Sequence, residues 1–292
     1  MAGCPEAGAA NDQSKMPSKI RDSFCREVAK ADRDINLAYA AMLFSEYLAE
    51  PFDSTLYLSL LDEMATIIEQ AVLAAKTDLE IIKAINQYLF EELKFSGNQQ
   101  NYYVPQNSFL NMVLDLRLGI PISLSAIYLE LGWRLGLPMW GIGLPGHFIV
   151  GYGSTTDPIY IDVFGQGRIL SEEECIDIAR GSHNSRDRIK NEYLKPISKR
   201  AILFRMLLNL KQIYVGLENW ETAYKVVDLM CIAKPKQINE VRDRGLLAYR
   251  LNRLHAAIFD IERYLFLARN SPDTAWLKQH LETMEEKLLR LN

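Results

Sequence analysis

Between Pro121 and Asp162 the apolar residues change their period, and this change limits what the chain can fold into. Leu124, Ile127, Tyr128, Leu131 and Leu135 stand 3, 4, 7 and 11 residues apart from the first, the spacing of a helix with one buried stripe. Gly136-Leu137-Pro138 ends that pattern. Residues 139–144 and 147–152 then read as two short strands around Pro145-Gly146, and residues 159–162 as a third. A helix backed by an antiparallel sheet follows from this order, an α+β arrangement. On the second strand His147, Ile149 and Gly151 are expected on one face and Phe148, Val150 and Tyr152 on the other.

Within and just before this region stand four short runs: Asn107-Ser108-Phe109-Leu110-Asn111, Arg117 through Ser125 (Arg-Leu-Gly-Ile-Pro-Ile-Ser-Leu-Ser), Pro145-Gly146-His147-Phe148 and Ile161-Asp162-Val163-Phe164. As a set they resemble the transglutaminase-like region of SirB-type bacterial proteins, which join it to tetratricopeptide repeats. A related region occurs in some eukaryotic F-box proteins. With the helical segments on either side the resemblance covers roughly residues 35–280. Val163 departs from the proline usual in the family. The resemblance implies a nucleophile at a helix start, a histidine on one strand and an aspartate on a later one. On this chain those positions are Ser123, His147 and Asp162.

The first of the three is the wrong residue type for that chemistry. A helix N-terminus lowers the pKa of a cysteine and favours thiolate. A serine hydroxyl stays protonated and needs a tight hydrogen bond to a general base. The four cysteines, Cys4, Cys25, Cys175 and Cys231, all lie elsewhere. Ser123 has an adequate structural reason to be serine, as a helix cap or first-turn residue. Ser125 is a weaker alternate. An aspartate at Asp162 would orient His147 and hold its tautomer, or the two form a satisfied pair with no catalytic role. Asn107, Asn111, Arg117 and Gly146 are candidates to line a pocket, with Asn107 or Asn111 as an oxyanion donor, although turn and capping roles also suit the two asparagines and Arg117.

Other chemistries find no support. His183, His255 and His280 have no partners at ligand spacing, so no metal site is expected. Gly141, Gly143, Gly146, Gly151 and Gly153 are not followed by a helix, as a phosphate-binding loop would be, and no cofactor is expected. No apolar run approaches the ~20 residues that span a bilayer, and no signal sequence is recognised. The protein is expected to be cytoplasmic, with its scattered cysteines reduced.

On both sides of this region the periodicity is helical. Asp53 or Ser54 can cap a helix whose apolar face is Leu56, Leu60, Ile67 and Ile68, and residues 78–93 repeat the pattern with Ile81, Ile82, Ile85 and Leu89. From Lys199 onward Leu217 and Leu251, Tyr214 and Ala248, and Ala223 and Ala257 are each 34 residues apart, the length of a tetratricopeptide unit. Two units and a capping helix ending in Leu288 and Leu289 are expected, leaning on the preceding domain because two are fewer than the usual stable number. The expected organisation is a disordered arm over 1–18, a transglutaminase-like domain with a helical N-terminal part over 19–196, and helical repeats over 197–292.

The net charge of −4 divides unevenly. Residues 1–179 hold 12 basic and 24 acidic side chains, a charge of −12; residues 180–292 hold 21 and 13, a charge of +8. The densest basic stretch is Arg180, Arg186, Arg188, Lys190, Lys195, Lys199 and Arg200. An exposed linker accounts for it, or an acidic partner that docks on the C-terminal half. Nucleic acid is disfavoured, because no binding motif accompanies the charge. Two functions remain: a protein- or peptide-binding scaffold on a frame that has lost its nucleophile, or a serine-dependent acyl-transfer enzyme, amidase- or peptidase-like, using Ser123, His147 and Asp162.

Overall fold

The computed structural model describes residues 16–181 and 191–290. Most of the expected arm and the basic residues Arg186, Arg188 and Lys190 lie outside them; helix α1 (Met16–Ala29) begins within the stretch assigned to the arm. The chain divides into two compact units, residues 1–206 and 207–292.

In the first unit, α1 is followed by α2 (Leu37–Leu48), α3 (Ser54–Ala74) and α4 (Asp78–Asn86), which runs on into a π-helical turn over Gln87–Glu92. Side-chain caps start three of these helices: Asn36 accepts from the Tyr39 amide, Asp53 from Thr55 and Thr77 from Glu80. The apolar face of α3 departs from expectation. Leu61, Met64, Ala65, Ile68 and Val72 are buried, while Leu56 and Ile67 are exposed. Two apolar rows run side by side on this helix, and only the one facing α2 and α6 is covered.

A pair of two-residue strands, β1 (Ser96–Gly97) and β2 (Leu118–Gly119), runs parallel and brackets α5 (Leu110–Leu116). Next come α6 (Pro121–Arg134), β3 (Met139–Ile142), β4 (Ile149–Ser154), β5 (Asp157–Asp162), β6 (Arg168–Leu170), α7 (Glu172–Gly181) and β7 (Pro196–Ile197). Five strands form an antiparallel sheet in the order β6-β5-β4-β3-β7. The helix-plus-sheet expectation holds, with two corrections. Helix α6 buries every residue from Pro121 to Gly132 rather than one stripe, because it packs on β3 and β4 as well as on α2, α3 and α5. Strand β4 begins at Ile149, so His147 precedes the sheet. Pro145-Gly146 turns the chain there with Gly146 at φ 66°, a left-handed conformation that favours glycine.

One charged residue on α6 is buried with its partners supplied. Glu130 accepts from the Ala38 amide in the first turn of α2 at 2.9 Å and pairs with Arg134, which also reaches Asp62. Helix α8 (Lys199–Gly216) starts against α1 and α2: both Asp32 oxygens take its first amides, Lys199 at 2.9 Å and Arg200 at 3.1 Å.

The second unit continues α8 with α9 (Trp220–Ala233), α10 (Ile238–Arg250), α11 (Leu254–Leu267) and α12 (Thr274–Leu289), the two helix pairs and capping helix of the 34-residue reading. Ala223, Ala248 and Ala257 are fully buried where neighbouring helices meet. Arg244 lies among them, its Nε and Nη2 on the two Asp260 oxygens at 2.7 and 2.8 Å and its Nη1 on Asp228 at 2.7 Å. Nothing in the repeat spacing announced this buried ion triad. Among the described residues no helix is long and apolar enough to cross a membrane.

Candidate functional site

Val150 pairs with Ile161 across β4 and β5, so the residues entering β4 and those leaving β5 lie at the same end of the sheet. His147 and Asp162 therefore meet. His147 Nε2 stands 2.9 Å from Asp162 Oδ1, which also accepts from the Gly165 amide at 3.2 Å. Burial works to raise the Asp162 pKa, but the His147 hydrogen bond and charge, the Gly165 amide and Arg168 outweigh it, and the carboxyl is held below its usual range. In the neutral imidazole an ionised Asp162 takes the proton on Nε2 and leaves Nδ1 as the acceptor; among the described residues nothing hydrogen-bonds to Nδ1.

His147 is mostly buried, its side chain 14% exposed. Phe164 stands edge-on to its ring at a centroid distance of 6.1 Å, and Tyr102 stands edge-on to Phe164 at 6.4 Å. Gly97 in β1 has no room for a side chain, since a Cβ there would run into the Phe164 ring. The loop after β5 is held from the other side by Asn86, whose Nδ2 donates to the Gly167 carbonyl at 2.9 Å and whose Oδ1 accepts from the buried Tyr128 hydroxyl at 3.1 Å.

Ser123 sits in the first turn of α6, fully buried. Its Oγ donates to the Asn107 carbonyl at 2.6 Å and accepts from the Ile120 amide at 3.0 Å, so it ties the start of α6 to the turn before α5. Among the described residues no hydrogen bond joins Ser123 to His147. Asn107 is equally occupied: its Nδ2 donates to the Asn101 and Tyr102 carbonyls and its Oδ1 accepts from Asn98. Arg117 is exposed, ends α5 in a left-handed conformation with φ 57°, and gives its carbonyl to the Ser96 amide. Asn111 is buried with its Oδ1 unpartnered, as are the hydroxyls of Ser108 and Ser125. Of the residues singled out from sequence, the structure thus brings His147 and Asp162 together, with Gly146 in the turn that delivers His147. Ser123 and Asn107 join each other in a separate structural tie.

Arg205 was not legible as part of this site. On α8 and 58 residues from His147, its Nη2 donates to the Leu144 carbonyl at 2.8 Å and the His147 carbonyl at 2.9 Å, across the Pro145-Gly146 turn. A helical periodicity pattern gives no sign of a guanidinium that reaches back to a sheet turn.

Comparisons with known proteins agree with this architecture. The profile of the transglutaminase-like superfamily matches residues 55–208, and a tetratricopeptide repeat profile matches residues 210–282. The chain is 33% identical over 269 residues to a UPF0162 protein of Xylella fastidiosa strain Temecula1, covering 89% of this chain and 93% of that one. It is 29% identical over 226 residues to a UPF0162 protein of Vibrio cholerae, covering 76% and 83%. It is also 39% identical over 104 residues to F-box only protein 21 of Homo sapiens, a match spanning 33% of this chain and 17% of that protein.

Proposed function

We propose, for a chain that belongs to the transglutaminase-like superfamily and carries tetratricopeptide repeats, that its first unit is a binding module on an acyl-transfer frame and not a working acyl-transferase. The observation that carries this reading is the occupied hydroxyl of Ser123. A serine nucleophile needs its proton aimed at a base. Here that proton goes to the Asn107 carbonyl, and the oxygen lies in the core as the cap of α6. Neither Cys175 nor Cys231 offers a substitute. Burial, with Glu174 and other acidic neighbours, pushes the Cys175 thiol up to about 12, and burial does the same to Cys231.

The His147–Asp162 pair favours the second reading, a serine-dependent acyl transfer, because Nδ1 is open and an oriented imidazole is what a nucleophile needs. A fluorophosphonate probe separates the two. The binding-module reading expects no covalent labelling of the folded protein. Labelling at Ser123 that disappears in both Ser123→Ala and His147→Ala would make this an enzyme.

Tetratricopeptide repeats generally mediate protein–protein contacts, and the second unit supplies a surface for one. Its cations lie against aromatic rings: Arg250 over Trp220 at 4.3 Å, Arg253 over Tyr224 at 4.8 Å and Lys287 over Tyr249 at 5.5 Å. With the +8 balance of residues 180–292 this supports an acidic protein or peptide partner for the repeats.

A further inference from the structure

Arg205 is a half-buried guanidinium that the protein leaves partly unanswered. Of its five N–H groups, those on Nη2 go to the Leu144 and His147 carbonyls. Among the described residues nothing accepts from Nε or Nη1, and no carboxylate pairs with the group. Three other half-buried arginines hold carboxylates, Arg134 with Glu130 and Asp62, Arg242 with Asp243 and Asp273, and Arg244 with Asp228 and Asp260, while Arg200 uses both Nε and Nη2 on the carbonyls of Val28 and Lys30. The missing carboxylate is the more unexpected because residues 1–179 carry 24 acidic side chains.

The surroundings of Arg205 hold it in place without neutralising it. Its guanidinium lies 5.6 Å from the centre of the Phe148 ring, and Nη1 runs so close to Gly143 that a Cβ there would displace it. Tyr102 is near enough to interact with its charge, and Tyr102 in turn contacts Phe164, which contacts His147. Burial accordingly lowers the Arg205 pKa, whereas the two carboxylates around Arg244 raise that one.

We propose that Arg205 is the anion-binding residue of a carboxylate subsite beside His147, taking the carboxylate of a bound peptide, either its C-terminus or an Asp or Glu side chain. Nε and Nη1 keep N–H groups that can each donate a single charge-assisted bond to a carboxylate oxygen; both parallel edges of the guanidinium include Nη2, whose N–H groups the turn carbonyls hold. His147 Nδ1 would accept a hydrogen bond from a neighbouring peptide amide, and Phe164 and Tyr102 form the aromatic wall. This rests on the reading of the first unit as a binding module.

The test uses the full chain and three small probes: N-acetylglycine for a C-terminal carboxylate, N-acetylglutamate α-amide for a side-chain carboxylate, and N-acetylglycine amide as the uncharged control. Arginine Nε–Hε resonances are followed by NMR, with the Arg205 signal identified by its absence in Arg205→Lys. A saturable shift of that signal with either carboxylate, absent with the amide, is expected; whichever carboxylate saturates first names the source. The His147 ring signals should follow the same titration in wild type, and about tenfold more probe should be needed in Arg205→Lys, whose compact ammonium cannot hold the two turn carbonyls and donate to the probe as the guanidinium does. Shifts with the amide alone, equal drift of every arginine signal, no shift, or a response to inorganic phosphate but to neither carboxylate would each overturn the proposal. Should Arg205→Lys not fold, Arg205→Gln or sequential assignment of the labelled protein identifies the signal, and the wild-type titration decides. Fluorophosphonate labelling of Ser123 would remove the binding-module reading while leaving the titration intact, and a failed titration would leave the labelling result intact.

Discussion

Replacing Ser123 by alanine should destabilise the first unit well beyond the loss of an exposed helix cap. A cap alone is worth about 0.5–2 kcal/mol. Here the hydroxyl answers two backbone groups in the core, the Ile120 amide and the Asn107 carbonyl, at a residue with no exposed surface. A buried backbone group left without its partner costs about 1–3 kcal/mol. Because a serine-to-alanine change leaves only a small void, the lost bonds dominate, and about 2–4 kcal/mol is expected. The chain has two compact units, so a single whole-chain transition is a poor measure. Native-state hydrogen exchange of the buried α6 amides reports on this unit alone, and the expected loss accelerates the slowest of them by roughly thirty- to a thousandfold. Ser123→Cys keeps a weak donor and acceptor and should fall between wild type and alanine, with a thiol that alkylates slowly in the folded protein. Exchange within about threefold of wild type in Ser123→Ala would refute the structural role. So would rapid alkylation of Ser123→Cys at neutral pH that depends on His147.

Removing the Arg244 side chain with alanine takes the shared cation from the buried Asp228 and Asp260, and should cost about 3–5 kcal/mol in chemical unfolding of the second unit. Replacing all three by leucine should recover most of that, and failure to recover any would show that the triad does more than satisfy itself. The Asp162 carboxyl is held below its usual range, so the stability it contributes is fully present above about pH 4 and is lost as pH falls through its depressed value. Asp162→Asn should therefore flatten the acid limb of the first unit's unfolding, measured by circular dichroism between pH 5 and 2, and an unchanged limb would contradict the assignment. Asp273 is held at about 2, by Ser271 first and then by Arg242 and Tyr264 against the opposing effect of burial, and gives the second unit the same sign of dependence: Asp273→Asn should reduce the stability lost between about pH 4 and 2. Among the described cysteines, iodoacetamide at neutral pH should modify exposed Cys25 before buried Cys175 and leave peptide binding intact, and loss of binding on labelling Cys175 alone would displace the site from His147.

Much of the architecture was written in local patterns. The spacing of Leu124, Ile127, Tyr128 and Leu131, the stop at Gly136-Leu137-Pro138 and the 34-residue recurrence of Leu217 with Leu251 each follow from periods that a helix or a repeat imposes on the chain itself. The meeting of His147 with Asp162 was implied by the family resemblance, and the antiparallel return of β4 into β5 supplies its physical reason. Tertiary packing decided the rest. Two apolar rows compete on α3, and the partners of the helix chose between them. The stripe on α6 said that one side is buried, while only a sheet together with several helices around it explains why every residue from Pro121 to Gly132 is buried, Glu130 against α2 among them. Ser123 has the same sequence context whether its proton points at an imidazole or a carbonyl, and the turn at Asn107, 16 residues earlier, took it. Arg205 and Arg244 depend on contacts 58 and 16 residues away, and a guanidinium on a long side chain reports nothing through the periodicity of its own helix. Sequence determined the periods and turns because those are properties of neighbouring residues; the destination of each buried proton and charge was set only when distant backbone closed around it.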